Sequence, residues 1–324
     1  MKDQKCIVFA GKANPLLAKL VSVPSHGITL GEIYHHQFPS DEWYSQIKEN
    51  VRGADVFLLQ SIIHPANDNL MQLLIMTDAA RRASAARITA IIPYMGYSRQ
   101  DRKDKVGTPI SAKLVMDILQ AAGVNHIVTM DLHAPQIAGF TNLPFDHLHF
   151  RTVLIEEMKD KNIEVIVAPD IGAVKKAEEY AQKMSLDLAF ISKKRKDDIT
   201  VETSQFVGDV KDKTVLIIDD LIESGGTLVA AAKACKENGA KKVYCAATHN
   251  CISPIGRSRL HQAWLDNVIH KFYCSDSTDC VSDTTGYIKI LSVADLFSTV
   301  IHNIHNNNDK SITSLFTKPI VVKS

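Results

Sequence analysis

Val215-Leu216-Ile217-Ile218-Asp219-Asp220-Leu221-Ile222-Glu223-Ser224-Gly225-Gly226-Thr227 is the stretch from which the rest of the chain can be read. Its first residues are continuously apolar, without polar alternation, so residues 214–218 are expected to form a strand buried on both faces of a parallel sheet. Two adjacent carboxylates follow, and a tight Ser224-Gly225-Gly226-Thr227 turn then opens a helix predicted over 227–238 and stopped by Gly239. The two glycines let backbone N–H groups approach an anion with no Cβ in the way. Thr227 stands near the helix start, where unpaired N–H groups and the helix dipole attract phosphate. Asp219 and Asp220 repel phosphate and suit hydroxyl donors, such as the 2- and 3-hydroxyls of a ribose. One turn therefore offers a phosphate cradle beside a sugar-diol clamp. No Gly-Lys-Ser/Thr follows, so the turn is not a Walker loop.

The same rhythm runs through the whole chain. Further strands are predicted at 55–60, 88–93 and 127–131 in the first half, and at 164–168, 187–191 and 242–246 in the second. Helices are predicted at 69–84, 110–122 (closed by Gly123) and 173–184. Strands alternating with helices imply an α/β fold whose mostly parallel sheets are covered by helices. Two such units in succession, joined near 145–152, imply a duplicated domain. The boundaries read as 1–148, 149–300 and a closing segment, 301–324. In open parallel sheets the ligand lies beyond the carboxyl ends of the strands. Polar residues collect at those ends: Asp131-Leu132-His133, Pro169-Asp170, Ser192-Lys193-Lys194-Arg195-Lys196 and Asp219-Asp220.

Composition removes several classes of function. With 37 basic against 36 acidic residues the net charge is +1, which leaves no broad basic field for nucleic acid or a membrane surface. Any phosphate must be held locally. No apolar run approaches the ~18 residues needed to span a bilayer, and residues 1–10 lack the pattern of a secretory leader. The six cysteines show no metal-like spacing and read as small buried hydrophobes of a reducing compartment. The expected location is the cytoplasm.

Three further segments carry chemistry. Ile92-Pro93-Tyr94-Met95-Gly96-Tyr97-Ser98-Arg99-Gln100-Asp101-Arg102-Lys103 presents two forked guanidinium donors suited to phosphate oxygens. Thr129-Met130-Asp131-Leu132-His133-Ala134-Pro135-Gln136 places a carboxylate and a histidine at a strand end. Phe38-Pro39-Ser40-Asp41-Glu42 joins an aromatic ring to polar groups able to read a base edge. Magnesium prefers oxygen ligands and keeps several waters, so Asp170 is the better ligand by chemistry. His133 serves the metal, the nucleotide phosphates, or both.

Taken together, these motifs resemble those of the ribose-phosphate pyrophosphokinases (phosphoribosyl pyrophosphate synthetases), over nearly the full chain. The resemblance implies two duplicated domains of the type I phosphoribosyltransferase kind. It also implies transfer of the diphosphoryl group of ATP to O1 of ribose 5-phosphate, with Mg2+ as cofactor. It assigns Asp219, Asp220, Glu223, Ser224, Gly225, Gly226 and Thr227 to ribose 5-phosphate. Arg99, Gln100, Asp101 and His133 go to ATP, with Phe38, Ser40, Asp41 and Glu42 around its adenine. His133 and Asp170 go to the metal. Register from Ala189-Phe190-Ile191 puts the catalytic lysine at Lys193 and its arginine partner, also a ribose-5-phosphate ligand, at Arg195. An adenine loop acting across a subunit boundary implies a homo-oligomer built from dimers, up to a hexamer. A segment like Ser311-Ile312-Thr313-Ser314-Leu315-Phe316 closes the family's chains and packs back toward their first domain. The chain departs from the pattern at Ser40-Asp41, where an Asp-Gly order is expected. It departs again at Glu223, where an Asp is usual and the extra methylene moves the carboxylate about 1.5 Å. Residues 250–286 match least. Two rival readings are a phosphoribosyltransferase that consumes the same product and a non-catalytic regulatory subunit. The first leaves Arg99–Asp101 unused, and the second conflicts with the presence of Lys193, Arg195, His133 and Asp170.

Overall fold

Continuous apolar runs become the central strands of two separate sheets, and the helices between them supply the cover. The computed structural model describes residues 4–194, 203–278 and 285–306. These fall into two compact units, one comprising residues up to His149 with Ser277, Thr278 and 292–306, the other residues 150–276 and 285–291.

In the first unit, β1 (Cys6–Ala10), α1 (Pro15–Val21) and β2 (Ile28–Leu30) precede a separate antiparallel hairpin, β3 (Ile33–Gln37) with β4 (Trp43–Ile47). Then follow β5 (Asp55–Leu59), α2 (Ala66–Arg82), β6 (Arg87–Ile92), α3 (Ser111–Ala122), β7 (His126–Met130) and β8 (Phe145–Leu148). The six-stranded sheet has the order β2-β1-β5-β6-β7-β8, and each of its pairings is parallel. The helix α3 buries Ala112, Val115, Met116 and Leu119, a stripe at helical spacing, and ends on Gly123 in the left-handed region.

The second unit runs α4 (Arg151–Met158), β9 (Val165–Ala168), α5 (Val174–Met184), β10 (Asp187–Lys194), β11 (Thr203–Val207), β12 (Thr214–Ile222), α6 (Gly226–Glu237), β13 (Lys242–Asn250), α7 (Pro254–Leu265), β14 (Lys271–Ser275) and β15 (Ile288–Leu291). Its seven strands lie in the order β11-β10-β9-β12-β13-β14-β15, parallel except for the edge pair β10–β11. The mostly parallel α/β architecture expected from the sequence is therefore present twice. Among the described residues Cys6, Cys235, Cys245 and Cys274 are buried thiols, and Cys251 is half-buried.

Several bounds differ from the expectation. The strand predicted at 214–218 continues to Ile222, because β13 offers a ladder that far, pairing Asp219 with Ala247 and Leu221 with His249. The strand predicted at 187–191 continues to Lys194 against β11. Residues 292–300, grouped by sequence with the second half, belong to the first unit through α8 (Ala294–His305). Its apolar face of Phe297, Val300, Ile301 and Ile304 is buried, and its end is held by polar groups. Arg87 donates to the Ile304 carbonyl at 2.8 Å while pairing with the fully buried Asp55, and His305 Nδ1 lies 3.0 Å from the same carboxylate. The segment Ser311–Phe316 lies outside the described residues.

Arg87→Ala would leave Asp55 buried with His305 as its remaining side-chain partner among the described residues, so a stability loss of about 3 kcal/mol is expected. Urea denaturation should show a lower midpoint with an unchanged slope.

Candidate active site

Strand order alone marks a position in the second sheet. After β9 the chain moves to β10 on one side, then returns to place β12 on the other. Crossovers that leave in opposite directions open a crevice at the carboxyl ends of β9 and β12. Asp170 follows β9, and Asp219 and Asp220 sit in the last part of β12. Asp170 Oδ1 accepts from the Ala173 N–H at 3.1 Å, which fixes its carboxylate beside the start of α5. Asp219 Oδ1 accepts from the Asp220 N–H, and Asp220 Oδ1 from the Leu221 N–H, both at 2.8 Å. Burial first, then the charge of Asp220, and at greater remove that of Asp170, push the Asp219 carboxyl up to about 8.

From β12 the chain enters the cradle. Glu223 and Ser224 are exposed, and Gly225 adopts φ +69°, a left-handed conformation natural only to glycine. A Cβ there would also meet the Gly256 carbonyl at 3.3 Å. The helix α6 begins at Gly226, one residue before the predicted start, so the backbone N–H groups of Gly225, Gly226 and Thr227 surround its first turn. The predicted sugar-phosphate residues Asp219, Asp220, Glu223, Ser224, Gly225, Gly226 and Thr227 are thus gathered at one end of one strand, with Asp170 just past the end of the neighbouring strand. Lys193 lies in β10, next to β9, with its backbone paired to Ser204. Arg195 lies outside the described residues.

The predicted nucleotide residues occupy the first unit. Arg99, Gln100 and Asp101 follow β6, whereas His133 follows its neighbour β7 and is exposed. The two segments are tied together by Gln136 Nε2, which donates to Asp101 Oδ2 at 2.7 Å, and the Ser111 hydroxyl at the start of α3 donates to Gln100 Oε1. Phe38, Ser40, Asp41 and Glu42 form the turn of the β3–β4 hairpin. The Phe38 N–H bonds the Glu42 carbonyl at 2.9 Å, the Ser40 hydroxyl bonds Glu42 Oε2 at 2.7 Å, and Asp41 takes φ +66°. That φ explains why glycine would be at home here and how Asp, a residue that tolerates the left-handed region, can replace it. The Phe38 ring is exposed and meets His36 edge-on at 4.8 Å.

Two groups went unread in the sequence. His147 Nε2 accepts from the Leu132 N–H at 2.9 Å, and His149 Nδ1 lies 3.1 Å from Asp131 Oδ1, so histidines at the end of β8 brace the turn carrying Asp131 and His133. Potential ligand atoms of Asp131, His147 and His149 lie within 4.8 Å of one another. Nitrogen-rich sets suit transition metals better than magnesium, and the bonds to Leu132 and Asp131 already engage a ring nitrogen of each histidine. Of the two predicted metal residues, Asp170 supplies the oxygen donor that magnesium prefers. The second missed group is on α7: the Ser253 N–H donates to the Glu223 carbonyl at 2.9 Å, and Arg259 Nη1 to the Ser224 carbonyl at 3.1 Å. A visible signal was Ser253-Pro254, a helix-start pair directly after β13.

Comparison with known proteins identifies this arrangement. Residues 6–123 match the model of the N-terminal domain of ribose phosphate pyrophosphokinase, and residues 150–273 match the phosphoribosyl transferase domain. A ribose-phosphate pyrophosphokinase of Chlorobaculum tepidum is 42% identical over 312 residues, covering 95% of this chain and 94% of that protein. The chain belongs to the ribose-phosphate pyrophosphokinase family. The Vibrio cholerae protein of the same name is 42% identical, covering 98% of this chain and all of its own length. The crystal structure of phosphoribosylpyrophosphate synthetase from Mycobacterium smegmatis superposes with a TM-score of 0.86 at 37% identity, over 94% of this chain and 100% of that one. Among the described residues no helix is long and apolar enough to cross a membrane.

The lifted Asp219 has a consequence for stability. An acid whose folded pKa exceeds its unfolded value of about 4 keeps a proton that the unfolded chain has lost. Stability should therefore fall as pH rises from about 4 toward the folded value of about 8. Asp219→Asn should flatten that fall in denaturant midpoints measured across the window.

Proposed function

We propose that the chain transfers the β,γ-diphosphoryl group of ATP to the 1-hydroxyl of ribose 5-phosphate, releasing AMP and forming phosphoribosyl pyrophosphate. The observation that carries this reading is the juxtaposition at the end of β12 of a diol clamp, Asp219 and Asp220, with the N–H cradle of Ser224 to Thr227. In a sugar phosphate the diol and the phosphate sit on opposite ends of one small ring, which is the span such a turn serves. The cradle N–H groups hold the 5-phosphate at the start of α6, and the paired carboxylates accept from the ribose hydroxyls. This leaves the 1-hydroxyl exposed as acceptor.

On the nucleotide side, Arg99 supplies a planar fork for the phosphates, and Gln100 and Asp101 orient the segment. His133 lies at the neighbouring strand end, while Phe38 stacks on the adenine and Ser40, Asp41 and Glu42 read its edge. No covalent nucleophile is required, because phosphoryl transfer is governed by positioning and by stabilising charge. Lys193 and Arg195 are assigned to the charge that builds on the transferred group. Asp170 and His133 would hold magnesium, which supplies positive charge at the phosphate oxygens when bound. A dimer-based homo-oligomer and a cytoplasmic location belong to the same reading.

The test is AMP release from ATP, which should require both ribose 5-phosphate and magnesium and should stop on chelation with EDTA. Lys193→Ala should lower kcat by on the order of 10²–10³-fold while ribose 5-phosphate still binds. AMP release indifferent to the sugar phosphate would refute the reaction. Lost binding with undiminished turnover would refute the role of Lys193.

A further inference from the structure

The cradle has a mechanical problem that α7 solves. Gly225, at φ +69°, is joined to Ser224 by a peptide group that faces little steric resistance to turning over, because glycine accepts the backbone conformations on either side of such a flip. If that peptide turned, its carbonyl oxygen would replace its N–H at the anion. Something must hold it.

The peptide is planar and trans, so its C=O and N–H point in opposite directions. Arg259 Nη1 donates to the Ser224 carbonyl at 3.1 Å, and the N–H in that same peptide is that of Gly225. The preceding peptide is held likewise: the Ser253 N–H donates to the Glu223 carbonyl at 2.9 Å, and the Ser253 hydroxyl lies 3.3 Å from the same oxygen. With both oxygens tied to α7, the N–H groups of Ser224 and Gly225 face away from it. Ser253, Gly256 and Arg259 recur every third residue, which puts them on one face of α7 toward the turn. Gly256 allows the approach, since a Cβ on it would lie 2.3 Å from the Glu223 carbonyl oxygen. Arg259 is exposed, and no carboxylate pairs with it among the described residues.

We infer that Arg259 is a positioning residue for sugar-phosphate binding: by holding the Ser224 carbonyl it keeps the Gly225 N–H aimed at the 5-phosphate. This rests on the reaction proposed above.

The experiment compares wild type with Arg259→Met and Arg259→Lys, full-length, by steady-state AMP release and by calorimetric titration with ribose 5-phosphate. Arg259→Met should raise both the KM and the Kd for ribose 5-phosphate about tenfold, the size expected from losing one charge-assisted hydrogen bond. The KM for ATP and the kcat at saturation should stay within about twofold. Arg259→Lys, which can still donate to the carbonyl, should recover most of the loss. Unchanged ribose 5-phosphate binding in Arg259→Met would overturn the inference, as would equal losses for both substrates or no recovery with lysine. Wild type that binds ribose 5-phosphate yet releases no AMP refutes the reaction alone, and the calorimetric comparison still decides the role of Arg259. Wild type that binds no ribose 5-phosphate refutes both.

Discussion

A parallel sheet presents the carboxyl ends of its strands along one edge, and the chain must leave each of them for a helix. Where successive crossovers depart on opposite sides, no connection covers the gap between the two strands. That constraint decides where chemistry can be placed in the second unit. Between β9 and β12 the gap is flanked by Asp170 and Asp219, and the chain leaving β12 forms a glycine turn into α6. The acids arrive on rigid ladders, and the turn is anchored by the strand before it and the helix after it. The residues between are free to specialise because the fold does not depend on them for its core.

Charge then sets the terms. Burial penalises the charged Asp219 most, and two further carboxylates, Asp220 next in sequence and Asp170 past the end of the neighbouring strand, add repulsion. The lifted Asp219 registers that cost. Hydroxyl donors or a divalent cation would relieve it, whereas a phosphate placed against these acids would increase it. The anion is accordingly assigned a few residues further on, where the N–H groups of Gly225, Gly226 and Thr227 gather at a helix start, that of Gly226 within 3.4 Å of the Ser224 hydroxyl. Under the proposed function, separation of acids from N–H donors along one short segment is what would discriminate the two ends of a sugar phosphate, without a single basic side chain in the turn itself.

Much of this could be read from the residues in order. Continuous apolar runs such as Val215 to Ile218 announced buried parallel strands, and Asp219 through Thr227 announced the cradle. What escaped was set by partners distant in sequence. Nothing within 214–218 says that β13 will carry the ladder on to Ile222. The short edge strand β8, Phe-Asp-His-Leu, has too weak a pattern to stand out, yet its flank supplies His147 and His149 to a turn fifteen or more residues earlier. The apolar face of α8 resembles that of any surface helix. Its membership of the first unit depends on Arg87, which reads locally as an ordinary residue at the start of a strand. Residues 250–286 matched the family least, and there the supporting role of α7 was hidden as well.

The same distinction between side chain and backbone bears on Glu223, where the family resemblance leads one to expect Asp. A substitution at a sugar-binding turn invites a reading through the carboxylate, which the added methylene displaces. In this structure the residue's tie to α7 runs through its carbonyl oxygen, bonded to the Ser253 N–H. That bond is indifferent to the length of the side chain, and the φ +69° that shapes the turn belongs to Gly225. The exchange therefore leaves the direction of the cradle N–H groups intact, and any change it brings is confined to what its own carboxylate reaches. By the same reasoning Gly256 admits no such exchange, because its replacement would push on the very carbonyl that keeps the turn in place.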